Sequence, residues 1–335
     1  MRALRVERHG EPGDVLTLQS DVPVPQPGPG MVRVQVEAAA LNLPDVLLCR
    51  GSYQLHPEFP FSPGLEVCGV VVAVGAGVDE RVLGQRMAAT PELPDGGLAE
   101  AAIFRSQSMY PVPDAVSSLD AAATLIPFNT AHVALHHRAN LRPGEVLLVH
   151  AAAGGTGSAA LQLGVLAGAR VIATAGSAEK VELCRKLGAH EVVNYVAEDF
   201  VERVKELTDG AGADVVFDPV GGRVFDQSRR CTALDGRLLV VGFAGGELQT
   251  IPANHALYKS YSVVGVYMGA YRNSEAGRSM VAGVHREIMQ LLVAGRIHPV
   301  IARVIGLAEV PAALTELGGR KTMGKTLVEP MALSS

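Results

Sequence analysis

The sequence has few cysteines, no tryptophan and no excess of positive charge. Its 29 lysines and arginines are outnumbered by 34 aspartates and glutamates, which gives a net charge of −5 and a pI near 6.1. This composition offers no general attraction for nucleic acid or for an anionic membrane. The four cysteines are far apart in the sequence, so none belongs to a C-x-x-C redox or zinc motif. We therefore expect reduced thiols in a cytoplasmic protein at Cys49, Cys68, Cys184 and Cys231.

The chain also lacks an uninterrupted apolar segment of membrane-spanning length. Residues 146–169 carry no formal charge apart from His150, and about 20 apolar residues are enough to cross a bilayer. The glycine-rich segment 154–157 interrupts this run near its centre, which favours a buried strand followed by a buried helix. The first residues alternate apolar and charged side chains without a secretory apolar core. The sequence thus predicts a protein that does not cross a membrane.

Two hydrophobic rhythms divide the 335 residues. Up to about residue 120, short runs such as 32–37 alternate with a period of two, and several such strands predict a partly open β-barrel. From about 124 to 265, β-branched runs alternate with helical segments, which predicts a parallel sheet wrapped by helices. An amphipathic helix around 280–292 and a last strand at 325–328 follow. We expect a discontinuous catalytic domain, 1–123 and 266–335, and a nucleotide-binding domain, 124–265.

The strongest chemical signal is a glycine loop between a predicted strand and a predicted helix. It has the pattern G-x-G-x-x-A, with Gly155, Gly157 and Ala160 at the three fingerprint positions. These positions serve a tight turn, a close backbone approach to a pyrophosphate, and tight helix–strand packing. The opening helix presents free N–H groups and a positive dipole end to phosphates. The alternative is a tight turn between packed elements, but the strand–loop–helix context favours nucleotide binding.

The next strand favours NADPH over NADH. An NAD site usually carries an acid about 20 residues beyond the fingerprint, where it holds the ribose 2′-hydroxyl. Here that position is Ala175, followed by Gly176 and Ser177, with Lys180 close behind. A 2′-phosphate needs donors and a cation at this place, whereas a carboxylate would repel it. The carboxylate of Glu179 weakens the argument for a 2′-phosphate. The alternative interpretation of Lys180 is an ordinary solvent-exposed helix residue.

Several motifs along nearly the whole chain resemble the zinc-free quinone oxidoreductases of the medium-chain dehydrogenase/reductase superfamily, the group that includes zeta-crystallin. Besides the glycine loop, they are Ala-Leu-Asn-Leu-Pro-Asp (40–45), Arg-Gly-Ser-Tyr (50–53), Pro-Gly-Leu-Glu-Val-Cys-Gly (63–69), Val-Val-Asn-Tyr (192–195) and Gly-Arg-Lys-Thr-Met-Gly-Lys (319–325). The resemblance implies a Rossmann-type doubly wound α/β domain and a chaperonin-10-like, partly open β-barrel domain. It also implies a homodimer joined through an edge strand near 262–266.

The resemblance further implies that the chain uses no zinc. The zinc-dependent relatives carry a metal-binding Cys and His where this chain aligns Asn42 and Leu65, and neither an amide nor a leucine is a credible zinc ligand. The relatives' four-cysteine lobe is also missing. Three histidines, His132, His136 and His137, have helical spacing, but no H-E-x-x-H motif includes them, and we interpret them as surface or core residues.

Cofactor contacts are carried over only where residues match the family. They are Thr130, Gly154, Gly155, Thr156, Gly157, Gly176, Ser177, Lys180, Tyr195, Phe243 and Arg320. Tyr195 and Lys180 would frame the 2′-phosphate, together with the loop of Gly176 and Ser177. Thr130 would contact the nicotinamide or its phosphate, Phe243 would bring backbone groups to the nicotinamide side, and Arg320 would reach the phosphates. A core tyrosine, a buried threonine and a surface arginine are the ordinary alternatives.

Without a Lewis acid, the chemistry favours acceptors that conjugation already activates, with a quinone as the leading candidate. We expect Asn42 to donate a hydrogen bond to the acceptor oxygen and Tyr53 to form a hydrogen bond or relay a proton. Asp45 is expected to orient that loop, with an ordinary turn-stabilising aspartate as the alternative. Enoyl-CoA, enoyl-thioester or enal reduction on the same framework is the nearest alternative. A non-catalytic NADPH-binding structural or sensor protein is a further one.

Overall fold

The computed structural model describes residues 1–320 and 322–332. The strands are β1 (Ala3–Val6), β2 (Leu16–Gln19), β3 (Met31–Ala40), β4 (Val67–Val74), β5 (Arg86–Ala89), β6 (Ala101–Arg105), β7 (Met109–Pro111), β8 (Val146–Val149), β9 (Arg170–Ala175), β10 (Glu191–Asn194), β11 (Ala213–Asp218), β12 (Thr232–Val240), β13 (Ser262–Gly265), β14 (Ile301–Ile305) and β15 (Lys325–Val328). The helices are α1 (Pro12–Val15), α2 (Leu43–Arg50), α3 (Ser118–His132), α4 (Gly155–Leu166), α5 (Ala178–Lys186), α6 (Phe200–Leu207), α7 (Gly222–Ser228), α8 (Ala253–Lys259), α9 (Met268–Arg272), α10 (Glu275–Val293) and α11 (Val310–Gly318).

A six-stranded parallel sheet has the order β10-β9-β8-β11-β12-β13. Helices connect its strands, so the α/β fold predicted from the alternating rhythm is confirmed. The strand order reverses between β8 and β11, and ligands bind outside the carboxyl ends of the strands at such a switch point. The glycine loop follows β8 directly, which places it at this point.

The uncharged run 146–169 divides as predicted into strand β8 and helix α4. Side chains of β8 and β11 are almost entirely buried, because helices cover both faces of a parallel sheet and apolar residues can then follow one another without alternation. Helix α4 is apolar on nearly all sides and largely buried, unlike a surface helix. Part of the apolar core around this sheet consists of Leu148, Ile172, Val193, Phe200, Val201, Val204, Val216, Phe225 and Leu238.

A second, mostly antiparallel sheet has the order β14-β15-β3-β4-β5-β7, with β6 also paired to β3. The period of two predicted within β3 is present, since Val32, Val34 and Val36 are fully buried while residues between them are more exposed. Strand β15 pairs with the end of β3, Leu327 lying opposite Ala40. Strand β4 pairs with β3 from the other side, so three distant segments meet at the end of β3.

The chain forms two compact units, Met1–Ile126 with Arg278–Ser335, and Pro127–Gly277. The first contains the antiparallel sheet and the second the parallel sheet. The second boundary lies at residue 277, later than the expected 265, because α9 groups with the parallel-sheet unit. Within the described residues, no helix combines the length and the apolar character needed to span a bilayer.

Candidate active site and cofactor site

The glycine loop is shaped by a backbone contact that leaves no room for a side chain. A Cβ atom on Gly157 would lie 2.2 Å from the carbonyl oxygen of Ala151, which itself has a positive φ of 49°. Gly154 is the N-cap of α4 and gives it no side-chain cap. In the part of the chain that the structure describes, the backbone N–H groups of Gly155 and Thr156, like that of Gly157, have no acceptor. Free N–H groups at the positive end of a twelve-residue helix suit a bound phosphate.

The segments expected to contact the cofactor follow neighbouring strands of the parallel sheet. Gly176, Tyr195 and Phe243 come shortly after β9, β10 and β12, so they share the carboxyl edge with the glycine loop. The Tyr195 hydroxyl lies over Gly176, where an added Cβ would be 2.4 Å from it. Phe243 lies against Gly221, and both aromatic side chains are about half exposed. The structure thus brings these three predicted residues to one edge.

The turn after β9 has no carboxylate at the strand end and offers hydrogen-bond donors and a cation. Ser177 is the N-cap of α5, and its Oγ accepts a hydrogen bond from the Lys180 backbone N–H at 3.3 Å. The hydroxyl proton of Ser177 is left to donate elsewhere. The Lys180 side chain has no ion pair with any described carboxylate, although exposed Glu179 is its neighbour. A 2′-phosphate would find donors and a cation here.

A buried histidine under the glycine loop was not recognised from the sequence as part of the site. His150 follows β8, with Nδ1 3.0 Å from Thr174 Oγ1 and Nε2 2.7 Å from Ser228 Oγ. Ser228 donates its own proton to the carbonyl of Val224, so Nε2 carries the imidazole proton and Nδ1 accepts from Thr174. Burial lowers the pKa of His150 to about 3. The ring is therefore neutral and supplies no charge to bound phosphates.

Asp218, at the end of β11, is a second buried polar group at this edge. Its Oδ1 accepts hydrogen bonds from the backbone N–H groups of Val220 at 2.7 Å and Gly221 at 3.0 Å. Its Oδ2 is buried and has no partner among the described residues. Burial raises the pKa of the carboxyl above its ordinary value. Asp218 shapes the turn beside the glycine loop, and an aspartate ending an apolar strand was the only sequence signal for it.

Two further expected contacts, Thr130 and Arg320, belong to different compact units. Thr130 is buried within α3. Arg320 follows α11 with a positive φ of 60°, and its N–H donates to the carbonyl of Leu317 at 3.0 Å. Its side chain belongs to an exposed residue. Both cofactor contacts remain predictions.

Asp45 is fully buried and organises the turn before α2. Its Oδ2 accepts the backbone N–H of Asn42 at 2.8 Å, and its Oδ1 accepts the N–H of Gly64 at 2.9 Å. Burial, despite these two bonds, raises the pKa of Asp45 to about 6. The carboxylate thus connects the N-terminus of α2 to the Gly64 turn, the geometry of a group that orients a loop.

Both N–H donors and the oxygen of the Asn42 amide have hydrogen-bond partners within the protein. Its Nδ2 donates to the carbonyl of Ala40 at 3.0 Å and to Glu66 Oε2 at 2.9 Å, and its Oδ1 accepts from Lys325 Nζ at 2.7 Å. Because an amide has two N–H donors, none remains for a substrate oxygen. The structure therefore shows the Asn42 amide bonded within the protein, and a hydrogen bond from Asn42 to the acceptor oxygen stays a prediction.

Glu66 and Lys325 complete this cluster and were not singled out from the sequence, although both lie in motifs shared with the family. Lys325 Nζ donates to Glu66 Oε2 at 2.8 Å and to the Leu41 carbonyl at 2.9 Å, besides Asn42. Glu66 Oε1 accepts the backbone N–H of Ile126 at 2.6 Å. Glu66 is 0% and Lys325 5% exposed, so this is a buried ion pair with all three ammonium donors used.

Tyr53 and Leu65 both lie between Asn42 and Glu66 in the sequence. Tyr53 is half-buried and packs against the apolar core of the antiparallel sheet. Leu65 is 4% exposed and belongs to that same core. The proton-relay role of Tyr53 remains a prediction.

The histidines and acidic residues that the structure describes were searched for a possible metal site. Among them, no group of three or more His, Cys, Asp or Glu residues is arranged to hold a metal ion. The His132 and His136 rings lie 4.5 Å apart, between centroids, as a tilted pair, while His137 contacts Tyr271 edge-on.

Comparison with known proteins decides the family. Residues 28–114 match the alcohol dehydrogenase GroES-like domain, and residues 155–283 match the zinc-binding dehydrogenase family. Quinone oxidoreductase-like protein 2 of Bos taurus is 39% identical over 88% of this chain and 83% of its own length. This chain belongs to the quinone oxidoreductase subgroup of the medium-chain dehydrogenase/reductase superfamily. The family predicted from the motifs is confirmed.

Solved structures of this superfamily extend the likeness to nearly the whole chain. The Escherichia coli quinone oxidoreductase complexed with NADPH superposes with a TM-score of 0.90 at 29% identity, covering 98% of this chain and 100% of that one. A 2-haloacrylate reductase superposes with a TM-score of 0.85 at 30% identity, covering 99% and 100%. The predicted combination of a Rossmann-type sheet with a GroES-like domain is confirmed.

Proposed function

We propose that the protein is an NADPH-dependent, zinc-independent oxidoreductase that transfers a hydride to a conjugated carbonyl acceptor, with a quinone as the leading substrate. The observation that carries this proposal is the carboxyl edge of the parallel sheet. There the free N–H groups of the glycine loop share an edge with a turn that offers Ser177 and Lys180 and ends its strand without a carboxylate. The NADPH complex of the related E. coli enzyme supports the cofactor assignment.

The residues of this chain divide the task in a simple way. The glycine loop holds the pyrophosphate, and Lys180 with Tyr195 and Ser177 holds the 2′-phosphate. NADPH, when bound, supplies the hydride. A quinone takes that hydride together with one proton from solvent or a nearby hydroxyl, giving the hydroquinone and NADP⁺. The chain then contributes mainly positioning and the exclusion of water.

Zinc independence is supported by the chemistry of the atoms around Asn42. Other members of the superfamily bind zinc at the positions of Asn42 and Leu65. In this chain Leu65 is a core residue, and the Lys325 ammonium lies between Asn42 and Glu66. Zinc sites use thiolate, imidazole and carboxylate ligands, which this set does not provide together. The acceptor is therefore one that needs no Lewis acid.

The experiment is a stopped-flow record of NADPH oxidation with a quinone, an enal and a short enoyl-CoA, repeated with NADH. We expect the quinone to give the highest kcat/KM and NADPH to exceed NADH. Lys186→Ala is a matched control for Lys180→Ala, because Lys186 lies on the same helix and its exposed ammonium forms an ion pair with Glu182 at 3.9 Å. A preference for NADH, or no oxidation with any acceptor despite tight NADPH binding, would contradict the proposal.

Reduction of a conjugated carbon–carbon double bond is the second candidate. The likeness to a 2-haloacrylate reductase favours it, since that substrate is an α,β-unsaturated acid. A higher kcat/KM with the enal or enoyl-CoA than with the quinone would select this reaction.

We also propose that the protein is a cytoplasmic homodimer joined at β13. This strand ends the parallel sheet, pairs with β12 on one side and has no described strand on the other. An apolar edge of this kind needs covering. The four cysteines are free and buried, as is typical of a reducing compartment. Light scattering that gives the monomer mass would contradict the dimer.

A further inference from the structure

Thr174 connects the two turns that are assigned to the phosphates of the cofactor. It is the penultimate residue of β9, shortly before Ser177. Its carbonyl oxygen accepts the backbone N–H of Ala152, which leads into the glycine loop, at 3.1 Å. Its hydroxyl oxygen lies 3.0 Å from Nδ1 of His150, the residue that follows β8. The strand that ends in the 2′-phosphate turn is thus bonded twice to the segment that enters the glycine loop.

The hydrogen bonds around His150 have one consistent direction. The Ser228 hydroxyl donates to the Val224 carbonyl at 2.7 Å, so it accepts from Nε2 of His150, which carries the imidazole proton. Nδ1 is left as an acceptor, and the Thr174 hydroxyl donates to it. His150 is 2% and Thr174 1% exposed, so solvent does not compete for these bonds. The ring therefore holds the end of β9 against β8 and α7.

The residues that follow Thr174 carry the groups assigned to the 2′-phosphate. Ala175 ends β9, and its carbonyl accepts the Tyr195 N–H at 3.1 Å. Ser177 then caps α5 by accepting the Lys180 N–H at 3.3 Å. A shift at the end of β9 moves both Ser177 and Lys180 relative to the glycine loop. Binding groups have to be held to within about 0.5 Å of their productive positions, so such a shift weakens the contact with a 2′-phosphate.

We propose that His150 and Thr174 are positioning residues for cofactor choice, because the hydrogen bond between their side chains sets the place of the 2′-phosphate turn relative to the glycine loop. Both side chains are buried and act through the backbone that they hold. This inference rests on the NADPH-binding part of the proposed function. NADPH and NADH differ only in the 2′-phosphate, so loss of this hydrogen bond weakens NADPH binding and leaves NADH binding nearly unchanged.

The test measures Kd for NADPH and for NADH by fluorescence titration in two variants of Thr174. Thr174→Val keeps the shape of the side chain and removes the donor, so the NADPH Kd should rise about fivefold while the NADH Kd stays within about twofold. Thr174→Ser keeps the donor and removes a methyl group, so its Tm should fall but its preference for NADPH should stay. A Thr174→Val protein with the NADPH preference of wild type would overturn the proposal.

Thr232→Val is the matched control. Thr232 is also fully buried, and its Oγ1 donates to the Ser228 carbonyl at 2.9 Å, so this change removes a comparable bond and leaves the Ser228 hydroxyl in place. Thr232 begins β12, at the amino edge of the parallel sheet, whereas the glycine loop lies at the carboxyl edge. Its Tm should fall while the ratio of the two Kd values stays that of wild type. An equal change of this ratio in Thr232→Val and Thr174→Val would show that cofactor choice follows stability, and would overturn the proposal.

Two substitutions of His150 form an independent second comparison. The amide oxygen of asparagine lies as many bonds from Cβ as Nδ1 does, so His150→Asn still accepts from Thr174. The amide nitrogen of glutamine takes the place of Nε2, so His150→Gln keeps the bond to Ser228 and loses the bond to Thr174. We expect His150→Asn to keep the NADPH preference and His150→Gln to lose about fivefold of it. The opposite order would overturn the proposal.

These measurements of Kd require no turnover. A failed acceptor screen with the expected Kd values would contradict the proposed hydride transfer alone. An NADPH preference in wild type that survives in Thr174→Val would overturn this inference alone. A wild type that binds NADH as tightly as NADPH would contradict both.

Discussion

Replacing Gly157 by alanine tests the cofactor site most directly. The added Cβ would lie 2.2 Å from the Ala151 carbonyl oxygen, 2.8 Å from its carbonyl carbon and 2.9 Å from the Cα of Ala152. All three are backbone atoms, so no side chain can rotate away. Ordinary contact needs about 1 Å more, so the loop or the start of α4 must shift by about that distance.

A shift of about 1 Å moves the free N–H groups away from the positions that suit a pyrophosphate. Misplacement on this scale costs roughly 100-fold, so the NADPH Kd should rise by about that factor, or about 2.7 kcal/mol. Overpacking of this kind should also lower the free energy of unfolding by about 1–3 kcal/mol.

The assay is titration of NADPH fluorescence, with urea unfolding of the same samples. Gly283→Ala is the matched control, because Gly283 lies in α10 and its added Cβ would meet no described heavy atom within 4 Å beyond its chain neighbours and its own helix backbone. That variant should bind NADPH normally and be slightly more stable than wild type. A folded Gly157→Ala protein whose NADPH Kd lies within about twofold of wild type would refute the reasoning.

Three further predictions follow from the same structure. Lys180→Ala should weaken NADPH binding by about tenfold and leave NADH binding unchanged, as measured by fluorescence titration; equal losses for both cofactors would disagree with a 2′-phosphate contact. His150 is held neutral when folded, with its pKa lowered from 6.5 to about 3, so its contribution to stability is complete above pH 6.5 and is lost as pH falls toward 3. Urea unfolding at pH 7.5 and 5.5 should show a loss of about 1.4 kcal/mol from this group, absent in His150→Gln; equal pH dependence in both proteins would contradict it. The double variant Ser262→Lys with Val264→Lys should have the mass of a monomer in light scattering, because charge on an edge strand opposes pairing. An unchanged dimer mass would place the interface elsewhere.

Local patterns in the sequence predict the two kinds of sheet and several of their elements. The sequence predicts a last strand at 325–328, where β15 lies, and divides the uncharged run 146–169 into a strand and a helix, where β8 and α4 lie. These predictions succeed because the period of apolar residues is a property of a few consecutive residues. The glycine loop was predicted for the same reason, since its fingerprint, its strand and its helix are contiguous.

The role of Asn42 depended on tertiary structure. From the sequence, Asn42 was an amide available to a substrate. In the fold, Glu66 and Lys325, which are 24 and 283 residues away, take up its amide group. The sequence positions of these residues do not predict that they lie close together, because the pairing of β3 with β4 and β15 brings them into contact.

The sequence by itself determined the family, the glycine loop and the absence of an acid after β9, because each depends on short motifs of consecutive residues. The tertiary structure decided which polar groups are free and which are used within the protein. Hydrogen bonds of buried groups are satisfied by partners that folding brings together, so the neutral state of His150 and the ammonium between Asn42 and Glu66 became visible only in the folded chain.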